Sequence, residues 1–336
     1  MQVTLSVERN RLPDCVGRSL LCVTYSDRPL EPERCDVEFL RARYGKPDRL
    51  PPSAPFTSLL PLSHYSGTGG GIAIYDVGHN GRSPPDLVCA FRLTTAKPQH
   101  CLWQDGLVWV LGVDRVEIYD PDLQCVGLVT DPWLSGAHTM ASDGNGCLLV
   151  SCSASDSVLW LDIATRRFVN AVRLPAHLYG HNFHLSRTDS VVDHYITNDL
   201  QTTHVNCAWP WRQGVLTSSL IPGALGWFDT SGDYRELLRG MIGCHGARVR
   251  ADRDELYFCD SCSGTLVFLD ERCRIVRRLD TDSDWLHDSL QLAGDLFATN
   301  RSDKSDVILW DVASGSRHTT IDMSMHGQPQ FLSFGS

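Results

Sequence analysis

The 336-residue chain has no surplus of positive charge: 30 Lys and Arg stand against 40 Asp and Glu, a formal net charge of −10 at pH 7. A phosphate backbone is gripped by basic side chains, so nucleic acid is not an expected partner. No apolar run reaches membrane-spanning length, which removes the membrane as well. Residues 1–10, MQVTLSVERN, lack the basic start and apolar stretch of a secretory signal. The expected compartment is therefore the cytoplasm. Also missing is a second CxxC to complete a four-sulfur site with Cys259-Asp260-Ser261-Cys262. The thirteen cysteines then read as reduced, mostly buried, small apolar residues. Disorder and fibrous structure are excluded in turn, because 42% hydrophobic against 21% charged residues supplies a full core.

What the chain does have is a repeat. An apolar run ending in Asp recurs at Ile72–Asp76, Val116–Asp120, Val158–Asp162, Leu225–Asp229, Leu266–Asp270 and Val307–Asp311. The Asp residues are spaced 44, 42, 67, 41 and 41 residues apart, a period near 42 with one insertion between Asp162 and Asp229. Short strands at such a period make propeller blades. An Asp followed by turn residues, as in Asp229-Thr230-Ser231-Gly232, closes a hairpin through its own side chain, so these six are turn-makers.

Each period divides into four strands, A to D from the axis outward, as in 138–141, 147–151, 158–162 and 168–172. Residues 19–25 form a B strand with no A strand before it, and 326–334 form an A strand with nothing after it. Joined, they complete a blade. The expected fold is an all-β, six-bladed propeller in one domain, closed by pairing the C-terminal strand (326–334) with the N-terminal blade (19–97). Closure removes the exposed sheet edges.

A second repeat carries the chemistry. The A strands begin at His100, His138, His204, His245, His287 and His326, one per blade, and their neighbouring residues otherwise share little sequence. Equivalent A-strand positions surround the central channel at one mouth, so the six imidazoles form a ring. One alternative is purely structural, each imidazole bonding a backbone carbonyl within its blade. The other is a metal site, since crowded imidazoles resist protonation and offer neutral nitrogen donors. Such donors suit a transition metal ion, Zn or Fe first and Cu next, rather than Ca²⁺.

In this topology the B–C and D–A connections share the face of the ring, and the two longest excursions, 26–71 and 175–203, fall in those connections. Both are expected to cover the mouth. The second holds His177, His181, His184 and His194. His181 and His184, with Arg248 just inside an A strand, are the expected catalytic residues, though a packed or solvated loop histidine has the same appearance. Asp260, Ser261, Asn300 and Arg301 are further polar residues of the mouth. The glycines at 69–71 read as a hinge, because no helix follows them to cradle a phosphate.

The stretch from His204 to Asp270, with Gly243-Cys244-His245-Gly246-Ala247-Arg248 and Leu256-Tyr257-Phe258-Cys259-Asp260-Ser261, resembles an uncharacterised group of bacterial propellers. The blade pattern is similar to the wider NHL and SMP-30/gluconolactonase-like six-bladed class. The histidine ring resembles the zinc site of the peptidylglycine amidating lyase domain, and less closely the four-histidine iron site of the seven-bladed carotenoid cleavage oxygenases. These resemblances imply a metal-dependent lyase or hydrolase acting on a small organic molecule. An iron or copper oxygenase or oxidative cyclase at the same site is the second implication. A non-catalytic interaction platform with structural histidines is the third.

Overall fold

The computed structural model describes residues 19–27, 60–61, 69–78, 85–93, 97–175, 194–195 and 203–335. Six four-stranded antiparallel sheets are arranged as the blades of a propeller. Blade 2 comprises His100–Gln104, Leu107–Leu111, Val116–Tyr119 and Cys125–Val129, and blade 3 comprises Ala137–Ser142, Cys147–Cys152, Ser157–Asp162 and Arg167–Arg173. Val205–Trp211, Gly214–Ser219, Ala224–Asp229 and Tyr234–Leu238 form blade 4, and Cys244–Val249, Leu256–Asp260, Thr265–Leu269 and Ile275–Asp280 form blade 5. Blade 6 is built from Leu286–Ala293, Leu296–Arg301, Asp306–Asp311 and Ser316–Asp322.

Blade 1 is made from both ends of the chain. Leu20–Ser26 lies between Gln328–Gly335 and Gly70–Asp76, with Asp86–Leu93 outermost. Its inner register runs from Leu20 opposite Gly335 to Ser26 opposite Gln328. The closing strand starts two residues later than the sequence suggests. His326 and Gly327 both donate their backbone N–H to the Met323 carbonyl, at 2.8 and 2.9 Å, so a tight turn occupies those positions.

The recurring apolar-plus-Asp signature has a simple cause. Middle strands of a blade are covered on both faces, and alternate side chains serve opposite neighbours. In blade 2, Trp109 and Leu111 pack toward blade 3 while Val108 and Val110 pack toward blade 1. In blade 5, Leu256 and Phe258 face blade 4, and Tyr257 and Cys259 face blade 6. Each of the six blade-to-blade junctions holds its own apolar cluster. All six signature aspartates close the C–D hairpin as turn-makers: Asp120, for example, accepts the N–H of Asp122 and Gln124, and Asp270 those of Arg272 and Arg274. Asp76, Asp162, Asp229 and Asp311 accept N–H groups two to four residues on in the same way.

A second lock recurs at the mouth. In the B–C turns of blades 3 to 6, Asp156, Gly223, Gly264 and Ser305 all have φ between 50° and 59°. Each turns its carbonyl to accept an amide within three residues of the end of strand D, from Leu174, Met241, Thr281 and Met323 respectively. Between the two long insertions, Leu60–Pro61 pairs with His194–Tyr195 as a two-stranded ladder.

Candidate active site

The heads of the A strands bring imidazoles together. His138 and His204 meet edge to face at 4.9 Å between ring centroids, His204 and His245 at 6.4 Å, and His245 and His287 at 5.0 Å. Blade 1 contributes no imidazole to this line. Phe331 stands there instead, 4.7 Å from His287, 6.0 Å from His138 and 6.1 Å from His100. His326, held in its turn, packs 5.5 Å from Tyr25. Five of the six expected ring histidines are thus gathered together, three of them against Phe331, and His326 stands apart. Trp285 covers His245 at 5.5 Å.

Backbone geometry fixes how two of these imidazoles point. His138 Nδ1 lies 2.7 Å from the Gly136 carbonyl. His245 Nδ1 lies 3.4 Å from the Gly243 carbonyl and 2.7 Å from Ser261 Oγ. A carbonyl can only accept, so at His138 the proton is assigned to Nδ1 and the lone pair to Nε2; at His245 the nearer partner, the Ser261 hydroxyl, can donate or accept. In both blades the glycine is two residues ahead of the histidine and has positive φ, 59° at Gly136 and 85° at Gly243, a conformation that glycine adopts without a Cβ clash. His204, with φ of 49°, is held differently. The Asp156 Oδ1 accepts from Thr203 N–H, Thr203 Oγ1 and His204 N–H at 2.9, 2.7 and 2.8 Å.

His100 is sealed in the channel wall. Its Nδ1 is buried with no hydrogen-bond partner. Burial, reinforced by the nearby Arg248 cation, lowers its pKa to about 3, and a hydrogen bond with the Leu332 backbone offsets only part of this. His100 is therefore neutral throughout the physiological range.

Arg248 lies inside the ring of A strands with its side chain 2% exposed. It donates to both oxygens of Asp288, at 2.6 and 2.9 Å, and to the carbonyls of Ser289 and Leu332. Burial disfavours its charge, and the Asp288 carboxylate more than offsets that cost. Asp288 also accepts the Leu332 N–H at 2.9 Å, so the pair ties blades 5, 6 and 1 together at the axis. The other two expected catalytic residues, His181 and His184, lie outside the described residues.

Among the remaining mouth residues, Asp260 accepts the Ile242 N–H, Asn300 donates to the Gln330 carbonyl, and Arg301 forms a two-pronged pair with Asp306. Burial raises the Asp260 carboxyl above its usual range. Residues that sequence reasoning passed over are Phe331, Asp156 and Asp288. Only the glycines before His138 and His245 left a readable signal, a Gly-x-His spacing shared by two blades.

Among the described residues, no three His, Cys, Asp or Glu side chains are disposed to hold a metal ion. The ring imidazoles lie edge to face rather than converging on one point, so they do not by themselves fit the expected ion.

No protein-family model matches the chain, and no curated protein matches it in sequence. Solved structures do share its fold. A virginiamycin B lyase from Staphylococcus aureus superposes with a TM-score of 0.53 at 13% identity, covering 75% of this chain and 81% of that one. A catalytically inactive histidine-to-alanine variant of that lyase, with quinupristin, gives 0.54 at 11% identity over 83% and 94% of the two chains. A protein of unknown function from Bacteroides caccae gives 0.58 at 10% identity over 94% and 98%. At these identities the likeness concerns the fold. Among the described residues, no helix is long and apolar enough to cross a membrane.

Proposed function

We propose that this chain is a lyase that acts on a small organic substrate at the channel mouth, with ring imidazoles as its acid and base. The observation that carries the reading is the tautomer fixed at His138, with His245 oriented beside it by Ser261. The His138 Nδ1–H is tied back to the Gly136 carbonyl, which makes Nε2 the proton acceptor in a fixed direction. Elimination requires such a base. It removes a carbon-bound proton, the freed electron pair forms a double bond, and the neighbouring C–O or C–N bond breaks with its pair leaving on the heteroatom. An adjacent imidazolium returns a proton to that heteroatom. His181 and His184 are assigned to the substrate side of the mouth on their sequence position. Arg248, fully engaged with Asp288, is assigned a positioning role. The two lyase structures with this fold support the reading, and the names they carry supply a first probe.

The test is turnover of a panel of cyclic esters and amides that includes quinupristin, followed by mass spectrometry. Elimination within a ring opens it with no change of mass, whereas hydrolysis adds one water. The expected result is product of unchanged mass, lost in His138→Ala and His245→Ala while the melting temperature is kept. Product carrying an added water, turnover unaffected by both substitutions, or no product from the wild type would each overturn the proposal.

A further inference from the structure

Away from the histidine line, the junction of blades 1 and 2 holds a pair of thiols. Cys22 and Ser333 are opposite partners on adjacent strands of blade 1, so both side chains emerge on one face. Cys101, beside ring residue His100 at the head of blade 2, meets them. Its Sγ lies 3.1 Å from Ser333 Oγ and is hydrogen-bonded to the Cys22 thiol. All three line a narrow crevice of about 10 Å³, partly open to solvent, whose walls include Ile72, Ile74, Phe91 and Trp103.

Three other buried thiols are differently placed. Burial pushes Cys207 up to about 12, and Cys244 and Cys259 well above the usual range, which disfavours their reactive thiolates. Cys101 moves the opposite way: the hydrogen bond from Cys22, helped by that from Ser333, outweighs burial and favours its thiolate.

We propose that Cys101 and Cys22 form a peroxide-responsive dithiol, oxidised reversibly to a disulfide that staples blade 1 to blade 2. The Cys101 thiolate attacks one oxygen of hydrogen peroxide; an S–O bond forms, the O–O bond breaks, and hydroxide leaves to be protonated to water. The Cys22 thiol then attacks that sulfur, forming the S–S bond and expelling the oxygen as a second water. Two thiols are oxidised and one peroxide is reduced. Both side chains belong to one buried cluster across the blade 1–blade 2 junction, which makes them the neighbouring thiols available to each other.

Full-length protein is titrated with hydrogen peroxide, alkylated, and mapped as peptides under non-reducing conditions. The expected result is a cross-linked Cys22/Cys101 peptide pair, a loss of two hydrogens from the chain, two fewer alkylated cysteines than in the untreated protein, and full reversal by dithiothreitol. The oxidised form should melt higher than the reduced one. In Cys22→Ala, Cys101 should stop at the sulfenic acid and be trapped by dimedone. Oxidation confined to the exposed Cys125, or cross-links that exclude Cys22 and Cys101, would overturn the proposal. Should Cys22→Ala fail to fold, Ser333→Ala replaces it: slower cross-linking is expected, and an unchanged rate would count against the assigned hydrogen bond.

Discussion

His100 gives the sharpest quantitative expectation. Its imidazole titrates near the ordinary value of 6.5 in the unfolded chain and at about 3 in the fold. Below pH 6.5 the unfolded chain therefore binds a proton that the folded one refuses. The stability contributed by keeping His100 neutral is fully present above pH 6.5 and is lost as the pH falls from 6.5 toward 3. One bound proton is worth ~1.4 kcal/mol per pH unit, so moving from pH 7 to pH 5 should cost ~2 kcal/mol from this residue alone. Other groups titrate over the same range, so the comparison is with His100→Gln, which has no proton to gain. Urea unfolding of both proteins at pH 7, 6 and 5 measures it. Wild type should lose about 2 kcal/mol more than the variant across that interval. Parallel loss in the two proteins would show that water reaches the imidazole, and the sealed-wall description would fall.

Asp288→Ala should destabilise the fold by about 3–5 kcal/mol in urea unfolding, because it strands the buried Arg248 cation, and Asp288→Leu with Arg248→Met should recover most of that loss. Gly223→Ala should cost at least about 2 kcal/mol, since a Cβ there would lie 1.9 Å from the Met241 carbonyl in a residue with φ of 57°. On the lyase reading, Ser261→Ala should lower kcat roughly tenfold and broaden the pH profile while KM stays near its wild-type value, because His245 loses its closest Nδ1 partner. Elemental mass spectrometry of tag-free protein should find equal metal content in wild type and in the His138→Ala/His245→Ala/His287→Ala triple variant; metal lost along with the imidazoles would establish them as ligands.

The blade count and the ring closure were legible because both rest on periodic burial. A strand covered on two faces must be apolar throughout, as at Leu266–Leu269, and the hairpin beyond it needs an Asp such as Asp270 to satisfy free amides. The gathering of five of the six repeated histidines was legible for the same reason, since equivalent strand positions face one axis. His326 broke the pattern through a local turn at Met323, which no periodicity encodes. Phe331 and Asp288 were hidden differently. An A strand's inward residues have neighbours from non-adjacent blades, so their meaning depends on partners such as Arg248 that lie far away along the chain. Tautomer direction was also beyond reach, because it depends on a carbonyl's aim, although the Gly-x-His spacing carried its trace.

The shared construction of blade 1 has a consequence for biosynthesis. Its strand at 20–26 leaves the ribosome long before the inner strand that covers it, 328–335. In that interval Leu20, Leu21 and Val23, wholly buried in the finished ring, have an uncovered edge beside them. The nascent chain is therefore most prone to join a second copy of itself, strand for strand, until residues 328–335 emerge. A chain truncated before Gln328 would leave an open ring with an adhesive first blade, and holding chaperones would act on the growing chain before that strand is made.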